Sequence, residues 1–437
     1  MKSVSLHTLG CKLNYSETST LAGQFHKRGY EIKEYGEDSD IFVLNTCTVT
    51  DNADKECRQI IRSVLTNHPQ TYVIVTGCYA QLQPDEIASI KGVDLILGIH
   101  EKFKLFDYAD NFEKKSLSCV FTSPTDELTD FDYAYSSDDD SRTRAFLKIQ
   151  DGCDYNCSFC TIPLARGGSR SLEPEKVIEN ARHLLNSGYK EIVLTGVNTG
   201  DYYYQSSLEQ KKHKLIDILY ALDKLNIPRI RISSIEPNLL SDDIIQLVKS
   251  SENFCKHFHI PLQNGDPGIL KLMRRRYNTE IYEELIHKLN AEIPNVAIGA
   301  DVIVGFPGET EKNFENTFRF IDKLPVSYLH VFNYSERRNT RAAGLEKKVD
   351  ITIRKKRSAV LRELSAKKKY GFYLSNSGLK QKVLFESLKD DGSIFGFTDN
   401  YIKVKVWGNK EFENNIIAVK LSEPEGSKYC TAEVINN

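Results

Sequence analysis

The sequence predicts an α/β protein with three parts: an N-terminal domain with an open parallel sheet, a central partial (βα)6 barrel, and a small C-terminal all-β barrel. Three observations predict it. Strand-like and helix-like segments alternate over the first hundred residues, six more strand–helix units follow from Ala145, and short strands broken by turn residues follow Gly378. The length of 437 residues fits three parts, because one domain usually takes about 150 residues.

The composition is that of an ordinary globular protein. Lys and Arg number 58 against 60 Asp and Glu, so the net charge is -2, and 40% of the residues are apolar. This balance indicates neither disorder nor a particular partner. No stretch approaches about 18 apolar residues, and the start from Met1 to Leu6 has no apolar leader segment, so we expect a cytoplasmic protein with no membrane contact.

The N-terminal part has a βαβ rhythm, which implies parallel strands with helical crossovers. Between Pro124 and Ser141 lie seven acidic residues and no basic ones, a composition typical of a solvated linker. The predicted strands are 4–9, 41–45, 72–76 and 94–97, and the predicted helices are 16–28, 52–65 and 84–90.

The sequence of the central part predicts six βα units, which are too few for a closed eight-fold barrel. A basic amphipathic helix follows over 354–369, with eight basic residues against the single acid Glu363. The predicted strands of this part are 146–149, 191–194, 229–235, 257–261, 297–304 and 328–333, and its helices are 175–187, 214–225, 241–250, 279–290 and 311–323. Five short strands complete the chain, at 382–385, 394–397, 401–407, 416–421 and 432–435. We therefore expect domains at 1–120, 142–370 and 371–437, with an acidic linker at 121–141.

The strongest chemical signal is a C-x3-C-x2-C loop formed by Cys153, Cys157 and Cys160, directly after the first barrel strand. Three thiolates on one short loop can hold three irons of a [4Fe-4S] cluster and leave the fourth iron open. An open iron can chelate S-adenosylmethionine (SAM), whose reductive cleavage generates a carbon radical. The alternative is a zinc knuckle, but a zinc site needs a fourth Cys or His nearby, and His183 lies too far along the chain.

A second set of thiols, Cys11, Cys47 and Cys78, follows three predicted strands by one to four residues each. The carboxyl ends of parallel strands meet at one edge of the sheet, so these thiols are expected to be neighbours. Buried structural cysteines are the alternative, but placement in loops beside Gly10 and Gly77 favours a second cluster. Packing is the expectation for the remaining cysteines, Cys57, Cys119, Cys255 and Cys430.

The segments around these cysteines resemble the radical SAM methylthiotransferases over nearly the whole chain, and all six cluster cysteines match. The resemblance is strongest at Thr8–Asn14, Asn45–Thr50, Thr76–Gln81 and the three-cysteine loop. Lys12-Leu13-Asn14 and Thr48-Val49-Thr50 are most similar to the enzymes that act on threonylcarbamoyladenosine at position 37 of tRNA. The alternatives are family members that act on isopentenyladenosine in tRNA or on an aspartate of a ribosomal protein.

The resemblance implies a methylthiotransferase N-terminal domain, a radical SAM core and a C-terminal TRAM domain that binds RNA. It implies two [4Fe-4S] clusters: one, on the Cys153 loop, cleaves SAM to a radical that takes hydrogen from C2 of the adenine, and an auxiliary one, on Cys11, Cys47 and Cys78, holds the sulfur. Because the C2 hydrogen is not acidic, no catalytic residue is expected beyond the cluster ligands. The implied partners are the tRNA anticodon stem-loop and an electron donor such as a flavodoxin or ferredoxin, and a monomer is expected.

Four residues are candidates for SAM contacts. Phe159 matches an aromatic near the SAM adenine in such enzymes, and Asn198 ends the segment where the superfamily often has Gly-Gly-Glu, here without the carboxylate. Glu236 and Gln263 follow barrel strands, on the face where barrel active sites lie. Core packing for Phe159 and structural contacts at the rim for Glu236 and Gln263 are the alternatives.

Basic clusters are candidates for phosphate contacts. Arg166 and Arg170 follow the Cys153 loop, and Arg274, Arg337 and Arg338 belong to clusters later in the barrel. The ordinary alternative for each cluster is a solvated helical face.

The terminal barrel carries aromatic residues that either stack on bases or fill its core, namely Phe395, Phe397, Tyr401 and Trp407. In the segment 334–342, Asn339 replaces the family's usual glycine and Arg341 its proline. Asparagine tolerates a left-handed turn, so the backbone is expected to survive the change.

Overall fold

The computed structural model describes residues 1–109, 111–114, 116–128, 130–136, 143–206 and 211–435. Its first sheet has six parallel strands in the order β2-β1-β3-β4-β5-β6. The strands are β1 (Ser3–Thr8), β2 (Glu31–Lys33), β3 (Ile41–Thr46), β4 (Tyr72–Gly77), β5 (Leu95–Leu97) and β6 (Cys119–Phe121). The helices are α1 (Lys12–Lys27), α2 (Asp51–Asn67), α3 (Cys78–Leu82), α4 (Pro84–Ala88) and α5 (Leu105–Tyr108).

Strand β3 lies at the centre of this sheet, and its side chains alternate between two cores. Ile41 and Val43 pack with Phe25 of α1, whereas Phe42 and Leu44 pack with Ile61 of α2. Burial on both faces explains why the central strands are continuous apolar runs. The edge strands β2 and β6 have three residues each and were not predicted.

The central part has six parallel strands, as predicted, in two ladders, β7-β10-β13 and β14-β15-β16. A bridge between Ser234 and His259 links the two ladders into one arc. Two short antiparallel ribbons, β8–β9 and β11–β12, were not predicted. The strands are β7 (Arg144–Lys148), β8 (Gln150–Asp151), β9 (Arg170–Ser171), β10 (Glu191–Thr195), β11 (Tyr203–Gln205), β12 (Lys212–Lys214), β13 (Arg229–Ile232), β14 (His257–His259), β15 (Ala297–Val304) and β16 (Tyr328–Asn333). The helices are α6 (Ile162–Arg166), α7 (Pro174–Asn186), α8 (Leu215–Asp223), α9 (Asp242–Ser250), α10 (Pro267–Leu272), α11 (Thr279–Glu292) and α12 (Glu311–Lys323).

The predicted basic helix is α13 (Ile351–Ser375), longer at both ends than expected. Leu361 and Leu364 bury its apolar stripe in the barrel core. Arg354 pairs with Glu336 at 2.6 Å and Arg357 with Glu309 at 2.7 Å, and both guanidinium groups are buried. These two arginines therefore anchor the helix and are not part of a solvated basic face.

A closed five-stranded barrel ends the chain, in the order β17-β18-β19-β21-β20, which confirms the predicted fold class. Its strands are β17 (Lys380–Leu388), β18 (Ser393–Thr398), β19 (Lys403–Trp407), β20 (Ile416–Glu425) and β21 (Tyr429–Val434). The barrel is fixed to the central part by buried polar contacts. Arg229 donates to the carbonyl oxygens of Phe397 at 2.7 Å and Lys382 at 2.5 Å, and Asn400 donates to the Asn295 carbonyl at 2.8 Å.

Part of the predicted acidic linker packs against the barrel. Tyr135 forms an antiparallel bridge with Leu147, and Ala134 is buried. Residues 129 and 137–142, which include three of the seven acids, lie outside the described residues. Within the described part of the chain, no helix is long and apolar enough to cross a membrane.

Candidate active site

Cys11, Cys47 and Cys78 lie at one edge of the first sheet, as the strand pattern predicts. They follow β1, β3 and β4, which are adjacent parallel strands, with Thr8 paired to Asn45 and Thr46 paired to Gly77. The turns are held by side chains: Asn14 donates to the Leu9 carbonyl at 2.8 Å and to the Thr46 carbonyl at 3.0 Å. The sheet therefore brings together three thiols that are far apart in sequence.

Two glycines allow the segments that carry Cys11, Cys47 and Cys78 to lie close together. Gly10 has a φ of +106°, and a Cβ added to it would lie 2.7 Å from Cys47 Cβ and 3.0 Å from Cys47 Sγ. Gly77 has a φ of +99°, and its added Cβ would lie 2.5 Å from the Thr46 carbonyl oxygen. Any larger residue would both strain the backbone and push the thiol loops apart.

The second set, Cys153, Cys157 and Cys160, lies on the loop between β8 and α6. Backbone bonds shape the loop, from Cys153 N to the Gly167 carbonyl and from Cys160 N to the Cys157 carbonyl, both at 3.1 Å. Arg275 donates to Cys157 Sγ at 2.9 Å and also pairs with Glu236. A guanidinium in this position stabilises a thiolate and lowers its charge density.

The chemistry of these thiols fits clusters better than a single metal ion. Burial raises the pKa of Cys47, Cys153 and Cys160 to about 12, so thiolates here need a strong cation beside them. A structural zinc ion takes four protein ligands, whereas three thiolates can hold three irons of a [4Fe-4S] cluster and leave the fourth iron open. Each of the two sets offers three free thiols.

The two cysteine loops meet where α3 packs against α6. Cys78 lies in one small apolar cluster with Ala165 and Ile99, and Ala165 comes five residues after Cys160. Direct packing between α3 and α6 thus connects the Cys78 thiol to the segment that carries Cys160.

Arg166 is the centre of a buried ionic cluster at this junction. It bonds both oxygens of Glu17 at 3.0 Å and Asp151 at 2.9 Å, while Lys102 and Lys148 complete the cluster. Burial alone would raise the pKa of Glu17, but the Arg166, Lys102 and Lys148 cations outweigh it and hold that pKa far below its usual value. Arg166 is 1% exposed and pairs with Glu17 and Asp151, so it joins the first sheet to the barrel, and its contact with RNA stays a prediction.

A cavity of about 200 Å³ opens beside this junction. Cys160 and Phe159 line it from the second loop, Val49 and Thr50 from the chain just after Cys47, and Gln263 from the segment that follows β14. Gln263 has a φ of +67°, a left-handed conformation that costs a non-glycine residue about 1 kcal/mol or more and is typical of functional sites. The cavity therefore receives residues from both cysteine loops.

The other SAM candidates, Asn198 and Glu236, are not among the residues that line this cavity. Asn198 is buried, and neither its amide nitrogen nor its carbonyl oxygen has a partner among the described residues. An orphaned buried amide at the end of the second barrel strand fits a polar ligand such as the SAM methionine moiety. Glu236 is turned to Arg275, beside Cys157.

The remaining arginine candidates divide into buried and exposed residues. Arg337 is 5% exposed and pairs with Asp54 at 2.5 Å, so it too is held in a buried ion pair, and its contact with RNA stays a prediction. Arg170 is partly buried and donates to the carbonyl oxygens of Arg166 and Gly168. Arg274 and Arg338 are exposed and remain candidates. Asn339 adopts a φ of +64°, which confirms the expected left-handed turn.

Sequence reasoning missed the roles of Arg275 and Asn14. Arg275 lies within a run of three arginines, Arg274 to Arg276, yet it contacts Cys157 and Glu236. No local pattern separates it from its neighbours. Asn14 belongs to the segment Lys12-Leu13-Asn14 that carries the family resemblance, but its contacts with the Leu9 and Thr46 carbonyls could not be predicted from spacing alone.

Comparisons with known proteins agree with this site. The family profile described as "Radical SAM superfamily" matches residues 147–321, and the one described as "Uncharacterized protein family UPF0004" matches residues 3–98. The structure of the radical SAM methyltransferase TsrM from Kitasatospora setae, with tryptophan and a SAM analogue bound, covers 76% of this chain and 73% of its own with a TM-score of 0.52 at 12% identity. At that identity the likeness shows the fold alone.

Two groups of curated relatives cover nearly the whole chain. The threonylcarbamoyladenosine tRNA methylthiotransferase MtaB of Bacillus subtilis is 40% identical over 96% of this chain and 94% of its own, and MtaB of Aquifex aeolicus is 37% identical over 93% and 97%. The tRNA-2-methylthio-N(6)-dimethylallyladenosine synthase of Oceanobacillus iheyensis is 32% identical over 97% of this chain and 82% of its own. The site, the fold and these identities together show that the chain belongs to the radical SAM methylthiotransferase family.

Proposed function

We propose that the protein replaces the C2 hydrogen of threonylcarbamoyladenosine at position 37 of tRNA with a methylthio group. The observation that carries the proposal is the junction of the two cysteine loops, at which Cys78 packs on Ala165 and one cavity receives residues from both. The relatives with 37–40% identity are named for this activity. A transfer of sulfur to an unactivated carbon needs a radical source and a sulfur source side by side.

Membership of a radical SAM family implies SAM and a [4Fe-4S] cluster, and we assign these to Cys153, Cys157 and Cys160. When bound, this pair supplies a carbon-centred radical that removes the C2 hydrogen. Arg275 holds Cys157, while Phe159 and Cys160 form the cavity wall. We assign a second, auxiliary cluster to Cys11, Cys47 and Cys78.

The RNA partner would lie across exposed basic and aromatic residues. Trp407 is 69% exposed, with Lys405 Nζ 5.2 Å from its ring. Phe395 is flanked by Lys389 and Lys403, each 4.6 Å from the ring centre. Rings and cations placed side by side suit the stacked bases and phosphates of an anticodon stem-loop, and Arg274 and Arg338 extend the basic surface.

The remaining assignments follow from this activity. A flavodoxin or ferredoxin would supply the electron, the enzyme would work as a cytoplasmic monomer, and the domains would divide at 1–120, 142–370 and 371–437, joined by 121–141.

The test is mass spectrometry of nucleosides from tRNA incubated anaerobically with reconstituted enzyme, SAM and a reductant. The tRNA is supplied with and without the threonylcarbamoyl group, and with isopentenyladenosine as a third substrate. A methylthio product from the threonylcarbamoyl tRNA alone is the expected result. Product from the isopentenyladenosine tRNA alone would contradict the proposal and favour the activity for which the 32%-identical relatives are named.

A further inference from the structure

A second cavity, of about 390 Å³, lies where the three sheets meet. Lys12 reaches it from the start of α1, Arg231 and His330 from strands β13 and β16 of the central barrel, and Tyr401 and Lys403 from the terminal barrel. Nothing in the proposed chemistry assigns it a ligand.

The cavity is strongly cationic. No Asp or Glu is among its lining residues. Within the described ranges, neither Lys12 nor Arg231 has a carboxylate within 4.0 Å, in contrast to the buried Arg166, Arg337, Arg354 and Arg357. Four of the lining residues, Lys12, Arg231, Lys369 and Lys403, carry cationic groups, and none of the lining residues is acidic.

Of these cations, Arg231 gives the clearer evidence for an anionic ligand. It is 8% exposed, and its guanidinium stacks 3.7 Å above the centre of the Tyr401 ring and contacts the His257 imidazole. A buried charge is costly when it is not paired. Glu191, a buried carboxylate in the same region, is bonded to the Tyr401 hydroxyl instead. The arrangement therefore leaves the guanidinium available to an anionic ligand.

The position of the cavity indicates which anion. Lys12 directly follows Cys11, so the cavity adjoins the thiols assigned to the auxiliary cluster. On the barrel side, the His330 ring lies 5.4 Å from the His259 ring, and His259 bonds Asp301 at 3.0 Å in the wall of the first cavity. In adenine, the reacting carbon C2 and the carbon that bears N6 flank the same ring nitrogen. A group carried on N6 would therefore extend only a short way from the reacting carbon.

We propose that this cavity binds the carboxylate of the threonine carried on N6 of the substrate adenosine, with Lys12 and Arg231 as its cations. The inference rests on the proposed function and adds the residues that select the substrate. Arginine pairs with carboxylates through two parallel hydrogen bonds. An isopentenyl group is uncharged, so its binding here would leave Lys12 and Arg231 without an anionic partner. The two cations therefore disfavour isopentenyladenosine tRNA as a substrate.

The test compares anticodon stem-loops that carry threonylcarbamoyladenosine, its threonine methyl ester, or isopentenyladenosine. Fluorescence anisotropy gives the Kd of each for the wild type, Lys12→Gln, Lys12→Arg and the control Lys27→Gln, which removes an exposed charge at the far end of the same helix. We expect the wild type to bind the acid about tenfold or more tightly than the ester, as for hydrogen bonds to charged groups. Lys12→Gln should lose most of this preference, Lys12→Arg should keep it, and Lys27→Gln should match the wild type.

Several results would overturn the inference. Equal binding of acid and ester by the wild type would show that the carboxylate is not recognised. An equal weakening of all three RNAs in Lys12→Gln would show that the cavity holds a backbone phosphate. Arg231→Lys, which keeps the charge and loses the planar fork, is a second variant, and it should reduce the preference for the acid. If the wild type binds acid and ester alike but still methylthiolates the acid, the proposed function stands and only this inference fails. If it cleaves SAM but modifies no threonylcarbamoyl RNA, both fail.

Discussion

Arg166 donates two parallel hydrogen bonds, both 3.0 Å long, to the two carboxylate oxygens of Glu17. Glu17 belongs to the helix that follows Cys11, and Arg166 to the helix that follows Cys160. One buried ion pair therefore ties together the elements that carry the two thiol sets. It therefore contributes to the distance between the two thiol sets.

Glu17→Gln should destabilise the protein strongly. Removal of this carboxylate leaves Arg166, Lys102 and Lys148 buried with Asp151 as their remaining acid. Breaking a buried ionic cluster costs about 3 kcal/mol or more, and guanidinium unfolding of the whole chain would measure it. Glu283→Gln, at an exposed position on α11, should change the free energy of unfolding by less than about 0.5 kcal/mol. Equal effects would show that the cluster contributes nothing specific.

Substitutions in the two thiol sets should abolish different activities. Cys157→Ala should abolish the reductive cleavage of SAM, whereas Cys47→Ala should abolish the methylthio product and leave SAM cleavage measurable. Chromatography of 5'-deoxyadenosine and mass spectrometry of nucleosides measure the two activities. Cys430→Ala removes a buried thiol of the terminal barrel and should retain both. Loss of both activities in a folded Cys47→Ala protein would contradict the division of roles.

Gly10→Ala should prevent assembly at the first thiol set. The added methyl would collide with Cys47, whereas Gly29→Ala places the same methyl at a similar positive φ with nothing within 4 Å. After reconstitution, Gly10→Ala should hold about half the iron of the wild type, since one of two four-iron clusters would be missing. Gly29→Ala should hold the full amount. Similar losses in both variants would assign the effect to backbone strain alone.

Trp407→Ala should weaken tRNA binding. One base stacked on an aromatic ring contributes about 1–3 kcal/mol, so the Kd should rise about fivefold or more. Tyr220→Ala, which removes another exposed ring on α8, should leave the Kd unchanged. Filter binding at fixed salt measures both, and an unchanged Kd for Trp407→Ala would remove this residue from the RNA surface.

His257 should make the protein less stable in mild acid. Burial lowers its pKa well below 6.5, with Arg231 adding to the effect. Below pH 6.5 the unfolded chain therefore binds a proton that the folded chain does not, and the free energy of unfolding falls as the pH drops, by up to about 1.4 kcal/mol per pH unit. His257→Gln should flatten the dependence between pH 6.5 and 5 in urea unfolding. An unchanged slope would show that other groups cause it.

The sequence predicted the elements that position the thiols because their signals are local. Strands β3 and β4 are mainly apolar and β1 alternates apolar with polar residues, and a cysteine follows the end of each within three residues. Parallel pairing then determines the shared edge. Arg166 and Arg337 could not be assigned in this way. Their partners Glu17 and Asp54 lie 149 and 283 residues away in sequence, and charge alone does not tell whether an arginine faces solvent or a buried carboxylate. The cationic cavity could not be predicted either, because its lining residues come from all three parts of the chain and are far apart in sequence.

The bonds from Arg229 to the terminal barrel have a consequence for cooperativity. If that barrel opened alone, a buried guanidinium and the Glu191 carboxylate would lose the partners they have in Phe397, Lys382 and Tyr401. Such losses are costly, and the Glu17 cluster imposes a similar penalty on separating the first sheet from the central barrel. The chain should therefore melt in a single calorimetric transition, and excision of the terminal barrel should destabilise the body that remains.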